Sequence, residues 1–264
     1  MIRFTVITVT YNAGDKLKET VTDSLKQTYD NYEILIKDGL STDDSLKKLP
    51  QSEKIKLVSC KDKGIYDAMN QAVAEATGDY IIFMNCGDYF YDENVLSNIA
   101  KEIQEEPNCG IYYGDMYWNT TGIVNHSPTE ITDFVCFRHI PCHQSCVFAR
   151  KLFEEKSFDL EYKIRADYEF FLRQYYKNNI RPKYLGFVLS NYEGGGYSET
   201  KENRKRDKNE HRKITSMYMK RGKLFLYRFI MLITLQPLRQ LIAQRSKLAG
   251  TYDKAKAAVY HANK

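Results

Sequence analysis

Several signatures that settle a function early are missing from this chain. No G-x-G-x-x-G follows the first apolar run, and no G-x-x-x-x-G-K-[ST] occurs anywhere in the 264 residues. The dinucleotide fingerprint and the phosphate-binding P-loop are thereby excluded. No apolar stretch approaches the ~20 residues needed to cross a bilayer. The six cysteines, Cys60, Cys86, Cys109, Cys136, Cys142 and Cys146, form no C-x-x-C and lack the regular pairs of a secreted disulfide framework. Met1-Ile2-Arg3 leads straight into a strand with no signal-peptide pattern, so a reduced, cytoplasmic setting is expected. Acidic residues are scarce in one region only: residues 201–264 hold 17 Lys+Arg against 4 Asp+Glu, whereas residues 1–200 hold 22 against 30. An acidic body with a basic tail is the reverse of a general nucleic-acid binder, and no nucleic-acid partner is expected.

What is present suits a large core. Hydrophobic residues make up 43% and charged residues 28%, with a mean hydropathy of −0.54, which excludes disordered, collagen-like and coiled-coil chains. Phe4–Val9 is a β-branched run with no helical period, ending in the loop Thr10–Gly14. Lys16–Gln27 places Leu17, Val21, Ser24 and Leu25 on one helical face. Strands over 32–37, 55–59 and 80–84 then alternate with helices over 65–76 and 94–104. Such alternation gives an α/β fold, a doubly wound and mostly parallel sheet with helices on both faces. Ligands of these sheets bind at the carboxyl ends of the strands. Four polar segments recur there: 10–12, 38–44, 60–64 and 85–88.

Cys136, His139, Cys142, His143 and Cys146 lie within eleven residues and raise the question of zinc. No pair among them is followed by a second at finger distance, so small apolar cysteines around a buried strand are the preferred reading.

Val9-Thr-Tyr-Asn12, Asp38-Gly-Leu-Ser-Thr-Asp43, Asp62-Lys-Gly-Ile-Tyr-Asp-Ala-Met-Asn70, Gly78 to Asp88 and Pro141-Cys-His-Gln-Ser145 occur in that order. Together they resemble the family 2 glycosyltransferases, whose fold is called GT-A, and most of all the bacterial members that build capsular, exopolysaccharide or O-antigen units. The resemblance covers residues 1–200. It implies a GT-A catalytic domain there, with a nucleotide-binding half over 1–105 and an acceptor-binding half over 106–200, followed by a basic helical extension over 201–264. The activity implied is inverting transfer from a nucleotide-diphosphate donor, a UDP-sugar by preference, to a saccharide or lipid-linked saccharide acceptor. Two alternatives remain beside it. A sugar-phosphate nucleotidyltransferase would want a Gly-rich basic loop after the first strand, where only Gly14 and Lys16 stand. A non-catalytic saccharide-binding relative is kept open by a reduced metal motif.

A nucleotide base needs a flat contact and directional hydrogen bonds. Tyr11, between Thr10 and Asn12, could supply the face, with Asp38 and Asp62 accepting from base or ribose as matching family positions do. Lys63 and Gly64 would approach ribose and phosphates, and Asp67 and Asn70 share a helix face expected to point at the crevice. The bland readings are a turn or helix cap for Asp38, and solvated turns for Asp62 and Lys63. Where many members carry Asp-x-Asp, this chain reads Asn85-Cys-Gly-Asp88. With no glycine cradle, a diphosphate must be held by a cation. The resemblance therefore implies Mn2+ or Mg2+ on Asp88, with Asn85 as a neutral oxygen donor, against a turn cap as the alternative. Asp167 matches the family's base, against a helix N-cap. Glu169 is the weaker candidate. His143 and Gln144 match an acceptor-side signature, against a satisfied structural histidine, and Gly195 lies in the glycine-bearing loop 193–199, which could close over substrate or be a plain turn.

Leu224–Leu235 is apolar but interrupted by Arg228 and stopped by Gln236-Pro237. With basic residues over 220–247 it suits an interfacial helix, so peripheral contact with the inner face of the plasma membrane is expected. The alternatives are packing on the catalytic domain or on a second copy in a homodimer. Residues 200–221 read as a solvated helix.

Overall fold

In the computed structural model the described residues are 1–194 and 201–233. Strand β1 (Phe4–Thr10) is buried along its whole length. Phe4 and Val6 face one core with Leu17, Val21, Ile34 and Ile36, while Ile7 and Val9 face another with Leu35, Tyr66 and Met69. Burial on both sides is what a parallel strand covered by two helical layers requires. The helices that supply this cover are α1 (Asp15–Ser24), α2 (Ile65–Glu75) and α3 (Val95–Glu105), each turning an apolar stripe inward.

Strands β2 (Tyr32–Asp38), β3 (Ile55–Ser59) and β4 (Tyr80–Phe83) run parallel to β1 in the order β3-β2-β1-β4. The register pairs Thr10 with Asp38 and Asp38 with Ser59, so three strand ends reach one rim together. The polar segment after β2 closes in a single 3-10 turn, Leu46–Lys48, rather than capping a longer helix.

Beyond β4 the sheet becomes mixed. Its further strands are β5 (Asp88–Phe90), β6 (Ile111–Trp118), β7 (Ile123–Asn125), β8 (Cys146–Ala149) and β9 (Lys183–Tyr192). The order continues β4-β8-β6-β9-β5, with β8 antiparallel to both neighbours, β9 parallel to β6, and β5 antiparallel to β9. Strand β7 folds back on β6. Its four-residue connection is too short for the crossover that parallel neighbours need. The remaining helices are α4 (Asp133–Arg138), α5 (Leu152–Glu155), α6 (Ala166–Tyr176), α7 (Lys201–Tyr218) and α8 (Arg221–Ile233). Phe83, Phe148, Phe153, Phe158 and Phe170 interlock beneath α6 with ring centroids as close as 4.4 Å.

Helix α7 is docked rather than solvated. Ile214 and Thr215 are buried, and Tyr218 stacks on Tyr176. Helix α8 sets Leu224, Tyr227 and Met231 against the core while Phe225, Leu226, Phe229 and Leu232 stay exposed. No helix among the described residues is long and apolar enough to cross a membrane. The part of the interfacial segment beyond 233 lies outside the described residues.

Candidate active site

The strand ends are tied together by a buried lysine. Lys37 closes the apolar run of β2 with no exposure, and its ammonium donates to the carbonyls of Asp38 (2.8 Å) and Cys60 (2.6 Å) and reaches Asp62 at 3.3 Å. A buried charge survives only when its donors are filled in this manner. Asp38 is equally buried and engaged: its carboxylate accepts from Leu40 N–H, Ser41 N–H, Ser41 Oγ and Ser59 Oγ at 2.5–3.1 Å. It shapes the loop and is not brought to the cleft.

Other sequence candidates divide the same way. Asn12, at φ 49°, accepts from the backbone of Thr42 through Oδ1 at 2.8 Å and so staples two rim loops. Asp67 accepts from Lys63 N–H at 2.8 Å and from Gln71. Asn70 clamps Phe158 through both its backbone groups at 2.9 Å. The face shared by Asp67 and Asn70 is therefore spent on loop and core, not on the crevice. Tyr11 is different. This residue is 65% exposed and lines the cleft beside Thr10. Gly39 joins it to Asp62, because a Cβ there would stand 2.7 Å from Asp62 Oδ2 and 3.5 Å from Tyr11 Cδ2. Asp62 also accepts from Gly64 N–H at 3.0 Å, and Lys63 and Gly64 are exposed.

A cleft of about 490 Å³ opens at this rim and gathers Thr10, Tyr11, Asn85, Asp88, His143, Gln144 and Asp167 from loops far apart in sequence. Asp88 is 5% exposed. Burial pushes its carboxyl up to about 6, with His143 and Gln144 pulling the other way. Gly87, at φ +92°, makes the turn that leads into it. Asn85 Oδ1 is buried with no hydrogen-bond partner, while its Nδ2 lies 3.2 Å from His143 Nε2. A carboxylate and an orphaned amide oxygen are hard donors, so the pair fits Mn2+ or Mg2+, whose other positions diphosphate and water would fill. No group of three His, Cys, Asp or Glu that could hold a metal exists among the described residues.

His143 links this pair to Asp167. Its Nδ1 is 3.1 Å from Asp167 Oδ2. The tautomer that donates from Nδ1 and accepts at Nε2 satisfies both neighbours. Asp167 Oδ1 accepts from the Tyr66 hydroxyl at 2.9 Å and from Tyr168 N–H at 2.8 Å. Burial opposes the charged carboxylate, but these donors, His143 foremost, outweigh it and hold Asp167 below the ordinary range. Oδ2 receives His143 alone, and the side chain lines the cleft with 23% of it exposed.

The sequence reading missed several residues that the fold brings here. Lys16 lines the cleft and pairs with Glu193 at 2.5 Å, with Asp88 also favouring its charge. Tyr66, Lys163, Arg165 and Asp207 line it too. Tyr66 stands within the 62–70 motif and Lys16 opens a helical run, but nothing in their spacing marks them as site residues. Glu169 turns away from the cleft into a buried contact with Arg173 and Tyr218. Gly195 lies outside the described residues. The cysteines are all unpaired thiols. Burial pushes Cys136 and Cys142 up to about 12, as expected of small apolar side chains.

A parallel half-sheet running into a mixed one, with a polar cleft at the strand ends, is the GT-A architecture this chain shares with solved glycosyltransferases. The family model "Glycosyl transferase family 2" matches residues 5–156, more than half of the chain, and the chain belongs to that family. Membership decides against a nucleotidyltransferase. A PGL/p-HBAD biosynthesis glycosyltransferase of Mycobacterium bovis is 30% identical over 204 residues, 75% of this chain and 79% of that protein. The Escherichia coli protein WfaP, named UDP-Glc:alpha-D-GlcNAc-diphosphoundecaprenol beta-1,3-glucosyltransferase, is 32% identical over 146 residues, 53% of this chain and 57% of that one. Solved structures share the fold. The mannosyltransferase PcManGT from Pyrobaculum calidifontis, in complex with GDP-Man and Mn2+, superposes with TM-score 0.67 at 18% identity over 98% of this chain and 80% of its own. TarS 1-349 of S. aureus with UDP-GlcNAc gives 0.63 at 20% over 78% of this chain, which spans 64% of that one.

Proposed function

We propose that this glycosyltransferase moves a sugar, with inversion, from a UDP-sugar to a saccharide carried on a lipid, in the assembly of a surface polysaccharide. Residues 1–105 would hold the nucleotide and 106–200 the acceptor. The observation that carries the reading is the continuous link Asn85–His143–Asp167 across one cleft, with Asp88 at its donor side. Tyr11 offers a face for the uracil ring, with Asp62, Lys63 and Gly64 beside the ribose. Asp88 and Asn85 would hold Mn2+ or Mg2+, which when bound offsets the charge of the leaving diphosphate. Lys16, paired with Glu193, stands on the same side and could turn to the diphosphate. Across the sugar, Asp167 takes the proton of the acceptor hydroxyl as that oxygen attacks the anomeric carbon, and the nucleotide departs from the opposite face. His143 keeps the carboxylate oriented, and Gln144 holds Asp88 from the acceptor side. The exposed apolar face of α8, flanked by Lys220, Arg221 and Arg228, suits contact with an anionic membrane that presents such an acceptor.

Calorimetry of UDP with and without Mn2+, followed by a panel of nucleotide sugars, tests this. Binding of UDP strengthened by Mn2+ and turnover of one UDP-sugar are expected. Absence of UDP binding under both conditions would remove the reading.

A further inference from the structure

The family match ends at residue 156, yet Asp167 is held from still farther along the chain. Glu210, on α7, places its carboxylate on three successive backbone donors: Lys163 N–H, Ile164 N–H and Arg165 N–H, each at 3.0 Å. These amides lead directly into α6, whose first turn carries Asp167. An anion at this end is favoured by the helix dipole, and charge-assisted bonds of this length are the strong ones. One turn earlier, Asp207 grips the Arg165 guanidinium with two bonds, 2.6 and 3.0 Å. The same peptide serves the cleft from its other side. The Ile164 carbonyl accepts from the Tyr66 hydroxyl at 2.8 Å, and that hydroxyl also reaches Asp167 Oδ1 at 2.9 Å. A single phenolic proton is thus divided between Ile164 and Asp167, and the position of the Ile164 peptide sets the division.

We infer that Glu210 is a positioning residue for the transfer: by fixing the 163–165 backbone it sets both the place of Asp167 and the share of the Tyr66 proton that Asp167 receives. The basic extension is in this respect part of the catalytic apparatus and not an appendage to it. The inference rests on Asp167 being the base, and its test is arranged so that the two can fail separately.

The test uses the full chain and the variants Glu210→Ala, Glu210→Gln and Lys213→Ala. Lys213, on the same helix, pairs with Glu161 and lies over the Tyr162 ring just ahead of this segment, so its variant removes a neighbouring α7 contact while leaving the 163–165 amides on Glu210. Amide hydrogen exchange in Glu210→Ala should rise at residues 163–168, with little change in Lys213→Ala. Turnover of the UDP-sugar should fall at least tenfold in Glu210→Ala with the donor KM within about twofold of wild type. Glu210→Gln, whose amide oxygen still accepts, should recover part of the loss. Combining Glu210→Ala with Tyr66→Phe should cost less than the product of the two, because they act on one proton. Unchanged exchange, unchanged kcat, or a loss confined to KM would overturn the inference. If the wild type turned over no nucleotide sugar, the donor reading would fall, while the exchange arm would still decide whether Glu210 holds the segment.

Discussion

The two sides of the cleft spend their polar side chains differently. On the β1–β2 side, Asp38, Asn12, Asp67 and Lys37 are consumed in holding the rim loops to strand ends, to one another and to the start of α2. On the β8–α6 side, Asp167 is held by His143 and, from α2 across the cleft, by the Tyr66 hydroxyl, and its side chain stays partly exposed to the cleft. The first side therefore builds a shape on which Tyr11 is left exposed. The second builds a reactive group whose charge and orientation are set by neighbours. Motif residues of one family thus divide into those that make the site and those that act in it, and hydrogen-bond saturation tells them apart.

Breaking the donor side should cost more than any change on the β1–β2 side. Asp88→Ala is expected to lower turnover by about 10²–10³-fold, in the range found when a single group that stabilises developing charge is removed, and to abolish any strengthening of UDP binding by Mn2+. If Mn2+ still tightened UDP in that variant, the cation would be held elsewhere. Asp38→Ala leaves four donors of a buried loop without their acceptor, so urea unfolding should show a loss of about 2–4 kcal/mol. A stable Asp38→Ala protein with only its UDP affinity reduced would move Asp38 from the first class to the second. Tyr11→Ala should keep full stability and weaken UDP by about 1–3 kcal/mol of lost stacking, an effect opposite in kind to that of Asp38.

Smaller but sharper is a pH effect. The folded-state value for Asp88, about 6, lies above its ordinary 3.8, so the native state binds the proton more tightly than the unfolded chain does. Stability from this group is therefore lost as pH rises between about 4 and 7, by about 2–3 kcal/mol at 1.36 kcal/mol per unit. Wild type minus Asp88→Asn, measured by urea unfolding at the two ends, should show that fall. A flat difference would mean that Asp88 is not held in a dry setting.

The parallel half was readable because each element carries one period: β-branched runs for β1 and β2, an apolar stripe for α1, α2 and α3. The mixed half was not. Strands β5 and β7 are three residues each, too short for a period, and β9 departs from regular register with β6 at a bulge. Helix α7 hid its docking face for another reason. Asp207, Glu210, His211, Ile214, Thr215 and Tyr218 follow helical spacing, but most are polar, so no apolar stripe announced them. Asp88, Asn85, His143 and Asp167 were legible as motif residues, and the cleft does gather them. The roles of Asp38, Asn12, Asp67 and Asn70 could not be read, since a carboxamide or carboxylate looks the same in sequence whether it meets a ligand or a neighbouring amide.

The most direct measurement is a pair of assays on Asp167→Asn: UDP affinity in Mn2+, and transfer from the preferred nucleotide sugar. The account predicts affinity within about twofold of wild type and transfer reduced by about 10²–10⁴-fold, the span of a lost general base. Transfer at the wild-type rate would contradict it.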